Sequence, residues 1–216
     1  FVFSSSAATY GIPENGVANV DDIAQPINPY GKSKLFVEEI LKDYHTAYGF
    51  SSVSLRYFNA AGADADAEIG ELREDETHII PLAIEAAKKG TAFKLFGNDF
   101  ETPDGTCVRD YVHVTDLAEA HVRSMIKAGA DSICERYNLG SGIGTSNLEL
   151  LQTIQKYAGP MNIVEQPKRP GDPPTLIADI DKTLTELDWR PKYSTVDNIV
   201  KTAVKWYNKM HEKEIN

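Results

Sequence analysis

The stretch from Phe1 to Asn59 restricts the fold most, because it holds two strand-forming runs separated by one long helix. "FVFSSSAATYG" opens on an apolar run and reads as a short buried strand entering a serine-rich loop. "SSVSLRYFN", residues 51–59, is a second run rich in β-favouring residues. Between them, Asn28-Pro29 is a helix-start signal, a capping residue followed by a first-turn proline, and Gly49 is a stop. The amphipathic run Leu35 to Tyr48 fills the space between those signals. A strand, a helix of this length and a second strand make a βαβ unit, so the sheet is expected to be parallel.

After Ala60 the texture changes. A polar loop through about Glu76 leads to the helical run "IIPLAIEAAKKG", then to strand pieces "FKLFG" and "CVRDYVHV". "TDLAEAHVRSMIKAG" reads as helix, "RYNLG" as strand, and "SNLELLQTIQKYAG", "IDKTLTELDW" and "VDNIVKTAVKWYNKM" as three further helices. The reading is an α/β protein in two parts. Residues 1–60 belong to a parallel-sheet domain, and 61–216 mainly to a smaller mixed α/β lobe, with chain crossings back to the first part allowed.

Charge narrows the partners. A net charge of −10 leaves no general basic face for nucleic acid, although a local basic pocket for a phosphorylated small molecule is still permitted. No apolar run approaches the ~18 residues of a membrane span. Cys107 and Cys134 match no zinc spacing and are expected to be reduced thiols in a cytoplasmic protein. The chain opens directly on a strand-like Phe1-Val2-Phe3, which leads to the expectation that it is the later part of a longer protein.

Tyr30 and Lys34 stand one turn apart at the start of the first helix, on one face. A free tyrosine titrates near ~10 and is a poor base at neutral pH. An ammonium one turn away and the positive helix end would both favour the phenolate. The spacing alone is weak, since about one such pair is expected by chance in a chain with this many tyrosines and lysines. Its position strengthens it. The pair opens a βαβ crossover beside the loop Ser4-Ser5-Ser6, and open α/β sheets bind ligands at such strand ends.

With those residues in view, "FSSSAATYG", "PYGKSK", "LRYFNAAGA", "ETHIIPLAI", "LFGNDFETPDGTCVRDYVHVTDLAEAH", "YNLGSGIGTS" and "RPGDPPTLIAD" together resemble the UDP-glucose 4-epimerases of the extended short-chain dehydrogenase/reductase superfamily. The resemblance runs from Phe1 to beyond Trp189. It implies an NAD(P)-binding Rossmann-like domain, represented by the later part of its parallel sheet, and a substrate lobe. It also implies that the family's glycine-rich dinucleotide fingerprint would precede Phe1. The implied activity is isomerisation of UDP-galactose and UDP-glucose in galactose metabolism, through a 4-keto sugar with bound NAD, in a homodimer. The apolar residues on more than one side of the first helix (Leu35, Phe36, Val37, Ile40, Leu41) fit burial against both a sheet and a partner, or burial within one subunit.

By the same resemblance, Tyr30 is the base, Lys34 lowers its pKa and holds the nicotinamide ribose, and Ser6 bonds the sugar hydroxyl. Phe58 contacts the cofactor and Asn59 the substrate. Arg109 and Arg169 would neutralise the diphosphate, a role suited to guanidinium forks. Asp172 fits the uridine ribose, and Lys94, Leu95 and Phe96 the uracil pocket. His78 stands where some relatives carry an asparagine at the diphosphate. Leu176 falls at a sugar-pocket gate that varies in size, and its bulk favours a non-acetylated hexose. UDP-N-acetylhexosamine and UDP-pentose epimerases stay open as alternatives, as does an inactive, N-terminally truncated nucleotide-sugar-binding fragment. A 4,6-dehydratase is disfavoured because its Asp-Glu acid pair is replaced here by serines.

Three features are expected to be structural. "LGSGIGTS" lacks the last glycine of a dinucleotide turn and reads as a turn with a helix cap. The acids from Glu68 to Glu76 read as a solvated loop, and Trp189 and Trp206 as core of the C-terminal helices. His113 and His121 fall on different elements, and no metal site is expected.

Overall fold

The computed structural model describes residues 1–212. In chain order the elements are β1 (Val2–Ser6), β2 (Val17–Ala18), α1 (Pro29–Tyr48), β3 (Ser52–Tyr57), β4 (Asn59–Ala61), α2 (Ile79–Lys89), β5 (Ala92–Phe96) and β6 (Val108–His113). They continue as α3 (Val114–Ala130), β7 (Cys134–Leu139), β8 (Gly144–Ser146), α4 (Asn147–Ala158), β9 (Asn162–Gln166), β10 (Thr175–Ala178), α5 (Asp181–Glu186) and α6 (Val196–Glu212).

The expected βαβ unit is present. β1 pairs with β3 in parallel, Ser4 opposite Leu55 and Ser6 opposite Tyr57, and α1 makes the crossover. Asn28 caps α1 through its Oδ1, which accepts from the Gly31 amide at 2.8 Å, and Gly49 ends the helix in the left-handed conformation at φ 65°. Gly31 is required there, since a Cβ would lie 2.2 Å from the Ala8 carbonyl oxygen. The first turn of α1 therefore abuts the short 3-10 turn Ala7–Thr9 that follows β1, and Tyr30 is set beside the serine loop.

β7 completes this sheet in the order β1-β3-β7, so residues 134–139 return to the part that the first strands begin. α3 packs on the sheet with Leu117 and Ala120, and Trp189 is fully buried against the same cluster. Across the sheet, Arg56 and Glu38 form an ion pair at 2.6 Å, both buried, with Ser5 Oγ donating to Glu38 at 2.5 Å. β1 is an edge strand among the described residues, and of its side chains only that of Ser5 is buried, which corrects the expectation of a buried strand.

The second sheet has the order β2-β10-β6-β4, with β8 antiparallel to β6. β5 and β9 form a separate parallel pair. α2, α4 and α6 enclose a core of Ile80, Ile84, Leu150, Leu151, Ile154 and Ile199 beside that pair. Asp110, fully buried on β6, accepts from the amides of Ser141, Gly142 and Ala178, at 2.6, 3.0 and 3.1 Å, and so ties β6 to the Gly-rich turn and to β10. Gly140 belongs to that knot, since a Cβ would meet Asp110 Oδ2 at 2.4 Å. Ser146 then caps α4, its Oγ accepting from Glu149 at 3.0 Å, the turn-and-cap role read from the sequence.

Candidate active site

Two cavities lie side by side and share walls. The larger, about 1050 Å³, is lined by Ser6, Tyr30, Tyr57, Phe58 and Asn59 at one end and by Glu71, His78, Trp206 and Tyr207 at the other. The second, about 660 Å³, is lined by Lys94, Leu95, Phe96, Arg109, Arg169 and Asp172. Asn59, Thr77, Ile79, Leu82, Glu85 and Tyr111 border both, so the two form one trough. Of the expected site residues, these include all but Lys34 and Leu176.

Strand ends and one helix start build the first end. Ser6 closes β1, and its Oγ accepts from the Ala8 amide at 3.2 Å. Tyr30 is 56% exposed, so its phenol is open to a ligand. Lys34 stands behind it, with Nζ 5.5 Å from the Tyr30 ring centroid and 5.1 Å from that of Phe3. That ammonium donates to the Ser4 carbonyl at 2.8 Å. A lysine has three donors, and among the described residues no carboxylate pairs with this one, so donors remain for a ribose or a phenolate. Asn59 Nδ2 donates to the Asp110 carbonyl at 2.8 Å, which fixes its amide at the junction of the cavities.

The second end is an anion site by its chemistry. Among the described residues neither Arg109 nor Arg169 lies within ion-pair distance of a carboxylate, in a chain with net charge −10. Arg109 Nη1 donates to the Val108 carbonyl at 2.9 Å, and the Arg169 guanidinium lies 3.9 Å from the Phe96 ring centroid. Two unpaired guanidiniums on one wall suit a diphosphate.

Leu176, half-buried on β10, packs against the cluster of Ala7, Tyr10, Ala18, Phe58 and Ala178, and so touches Phe58 of the larger cavity's wall. β10 pairs with β6, Leu176 opposite Arg109, a strand the sequence reading did not include. His78 lines the larger cavity, where its Nδ1 pairs with Glu71 at 2.6 Å. The acidic loop is solvated, with Glu68, Glu74 and Asp75 exposed, and its residues 71–76 also form a wall of the larger cavity. Trp206 Nε1 donates to the Glu71 carbonyl at 2.8 Å, and a Cβ on Gly70 would lie 2.4 Å from the indole. Trp206 is accordingly half-buried over the loop, whereas Trp189 is core.

Two tyrosines escaped the sequence reading. Tyr111 borders both cavities, and burial pushes its phenol up. Tyr57 lines the larger cavity near Tyr30, and burial raises its pKa too, so it stays a neutral hydrogen-bonding phenol. Strand parity was the available signal for Tyr57, because parallel partners in register share a face and Tyr57 is the partner of Ser6.

The donor set at the first end fits the nicotinamide-ribose half of a dinucleotide, with hydroxyls and the aromatic Phe58 on the cavity wall and the Lys34 ammonium behind Tyr30. Comparisons with known proteins agree. Residues 1–140 match the model of the NAD dependent epimerase/dehydratase family. The chain is 48% identical over 216 residues to a UDP-glucose 4-epimerase of Rhizobium meliloti (strain 1021), covering 98% of this chain and 65% of that protein. It superposes on the crystal structure of UDP-glucose 4-epimerase from Brucella ovis in complex with NAD, with TM-score 0.88 and 45% identity over 94% of this chain and 63% of that one. A third relative, the Stenotrophomonas maltophila UDP-glucose-4-epimerase with bound NAD and formylated UDP-arabinopyranose, gives TM-score 0.93 at 35% identity over 98% of this chain and 64% of that one. The chain thus spans about two thirds of the length of the relatives it matches. Fold and similarity agree, and the chain belongs to the NAD dependent epimerase/dehydratase family.

Proposed function

We propose that this chain carries the catalytic and UDP-sugar-binding part of a UDP-glucose 4-epimerase, which interconverts UDP-galactose and UDP-glucose with NAD as resident cofactor. One observation supports this above the others. A single trough runs from the phenol of Tyr30, past Asn59, to the unpaired guanidiniums of Arg109 and Arg169. A sugar at one end and a diphosphate at the other fit that polarity.

Tyr30 takes the proton of the sugar 4-hydroxyl and returns it after the ring has presented its other face. Lys34 stabilises the phenolate during the transfer, from a position fixed by the Ser4 carbonyl. Ser6 hydrogen-bonds the same hydroxyl oxygen and orients it. NAD, when bound, supplies the hydride acceptor and donor for the sugar carbon, with Lys34 and Phe58 as its holding residues. Arg109 and Arg169 anchor the diphosphate, while Phe96, Lys94 and Leu95 form the base pocket and Asp172 meets the ribose. Firm anchoring at the nucleotide end leaves the sugar free to turn.

The bulk of Leu176, which packs against Phe58 beside the trough, favours a non-acetylated hexose. A cytoplasmic homodimer with a role in galactose metabolism completes the reading. The outward face of α1, where Phe36 and Tyr44 are 63% and 52% exposed, supports the dimer. The test is to give the complete gene product NAD+ and UDP-galactose, with UDP-N-acetylgalactosamine in parallel. Conversion to UDP-glucose is expected; no conversion of either sugar overturns the reading.

A further inference from the structure

Ser4 binds two different things with its two oxygens. Its carbonyl accepts from Lys34 Nζ at 2.8 Å, and its hydroxyl meets the Tyr57 hydroxyl at 2.8 Å. The Tyr57 hydroxyl also forms a short hydrogen bond with His121 Nε2, and His121 Nδ1 lies 2.7 Å from the Leu117 carbonyl on α3. A carbonyl only accepts, so Nδ1 carries a proton. In the neutral ring Nε2 is then the acceptor, and the Tyr57 hydroxyl donates to it. That orientation leaves the Tyr57 oxygen free to accept from Ser4.

The chain of contacts crosses the sheet. Lys34 belongs to α1, and His121 to α3 on the opposite face from the Glu38–Arg56 pair. β1 pairs with β3 among the described residues. The contact that holds the Lys34 ammonium sits on that strand.

We propose that Tyr57 and His121 are positioning residues, forming with Ser4 a strut from α3 that fixes the carbonyl on which Lys34 is held beside Tyr30. This rests on reading Tyr30 and Lys34 as the acid–base pair. Neither Tyr57 nor His121 transfers a proton to the sugar; they keep the ammonium where it acts on the phenolate. A hydrogen bond of ordinary strength corresponds to roughly a five- to tenfold effect when it is lost.

The experiment compares the complete gene product with its Tyr57→Phe, His121→Ala, His121→Gln and Ser4→Ala variants. Ser4 is exposed, so its variant removes the link without opening the core. The first readout needs no turnover: the acetylation rate of Lys34 relative to that of exposed Lys32, by mass spectrometry. The expected ratio rises roughly fivefold in Tyr57→Phe, His121→Ala and Ser4→Ala, and returns toward the parent value in His121→Gln, which keeps an acceptor for Tyr57. The second readout is the split between kinetic constants, with kcat falling about tenfold and the KM for UDP-galactose changing less than about twofold. An unchanged labelling ratio overturns the strut, even if kcat falls. A raised ratio in a protein whose parent does not convert UDP-galactose supports the strut and removes the epimerase reading.

Discussion

Lys34 Nζ lies 5.5 Å from the centroid of the Tyr30 ring, one turn further along α1, and is held there by the Ser4 carbonyl. Helix geometry supplies the proximity, and the strand end supplies the restraint.

Replacing Tyr30 by Phe removes the acid–base hydroxyl and keeps the ring. In the complete gene product, kcat for UDP-galactose conversion is expected to fall by about 10²–10⁴, the usual contribution of a positioned general acid or base. Lys34→Met should lower it by about 10² or more. Tyr57→Phe should cost far less, because burial keeps that phenol neutral. Equal losses at Tyr30 and Tyr57 in a coupled assay would misassign the base.

Arg169 stacks on Phe96 at the anion end, away from the Tyr30 end. Arg169→Ala is expected to raise the KM for UDP-galactose about tenfold or more while kcat changes only a few-fold, since the contact serves ground state and transition state alike. Isothermal titration with UDP should show the same loss. Unaltered UDP affinity would place the diphosphate elsewhere.

Glu38 and Arg56 are paired at 2.6 Å in the interior, and the Arg56 guanidinium also lies 4.6 Å from the Tyr10 ring centroid. Glu38→Ala leaves a buried cation without its counterion, with an expected loss of about 3–5 kcal/mol in urea unfolding. Glu38→Leu with Arg56→Met removes both charges and should recover most of it. A loss below about 1 kcal/mol for Glu38→Ala would show the pair is well hydrated.

His113 is buried, with Nε2 3.0 Å from Thr202 Oγ1 and Nδ1 accepting from the Thr115 amide at 3.1 Å. Burial holds its pKa below the ordinary value of 6.5, outweighing the nearby Asp116 charge. The unfolded chain therefore takes up this proton first as pH falls. The contribution to stability is complete above about 6.5 and declines below it, toward the lower folded value. Thermal unfolding from pH 7.5 to 5 should show that decline, and His113→Gln should flatten it relative to the parent. Parallel curves for parent and variant would remove His113 as the cause.

Local signals fixed much of the molecule. Asn28, Pro29 and Gly49 bound α1 because capping and left-handed termination depend on the residues themselves. The β1-α1-β3 unit follows from periodicity, since parallel strands require a crossover. The same local spacing put Tyr30 and Lys34 on one helical face, and the motif resemblance brought most of the trough's residues into view. What the sequence left open depends on partners distant in the chain. β10 escaped because its strand character comes from pairing with β6, and that pairing sets Leu176 against Phe58. The acidic loop became a wall because Trp206, about 135 residues later, bonds its backbone. Tyr57 and His121 meet only when α3 packs on the sheet. Capping, handedness and side-chain parity act within a few residues and can be read from a string, whereas a cavity is the space between elements and exists only once they have packed.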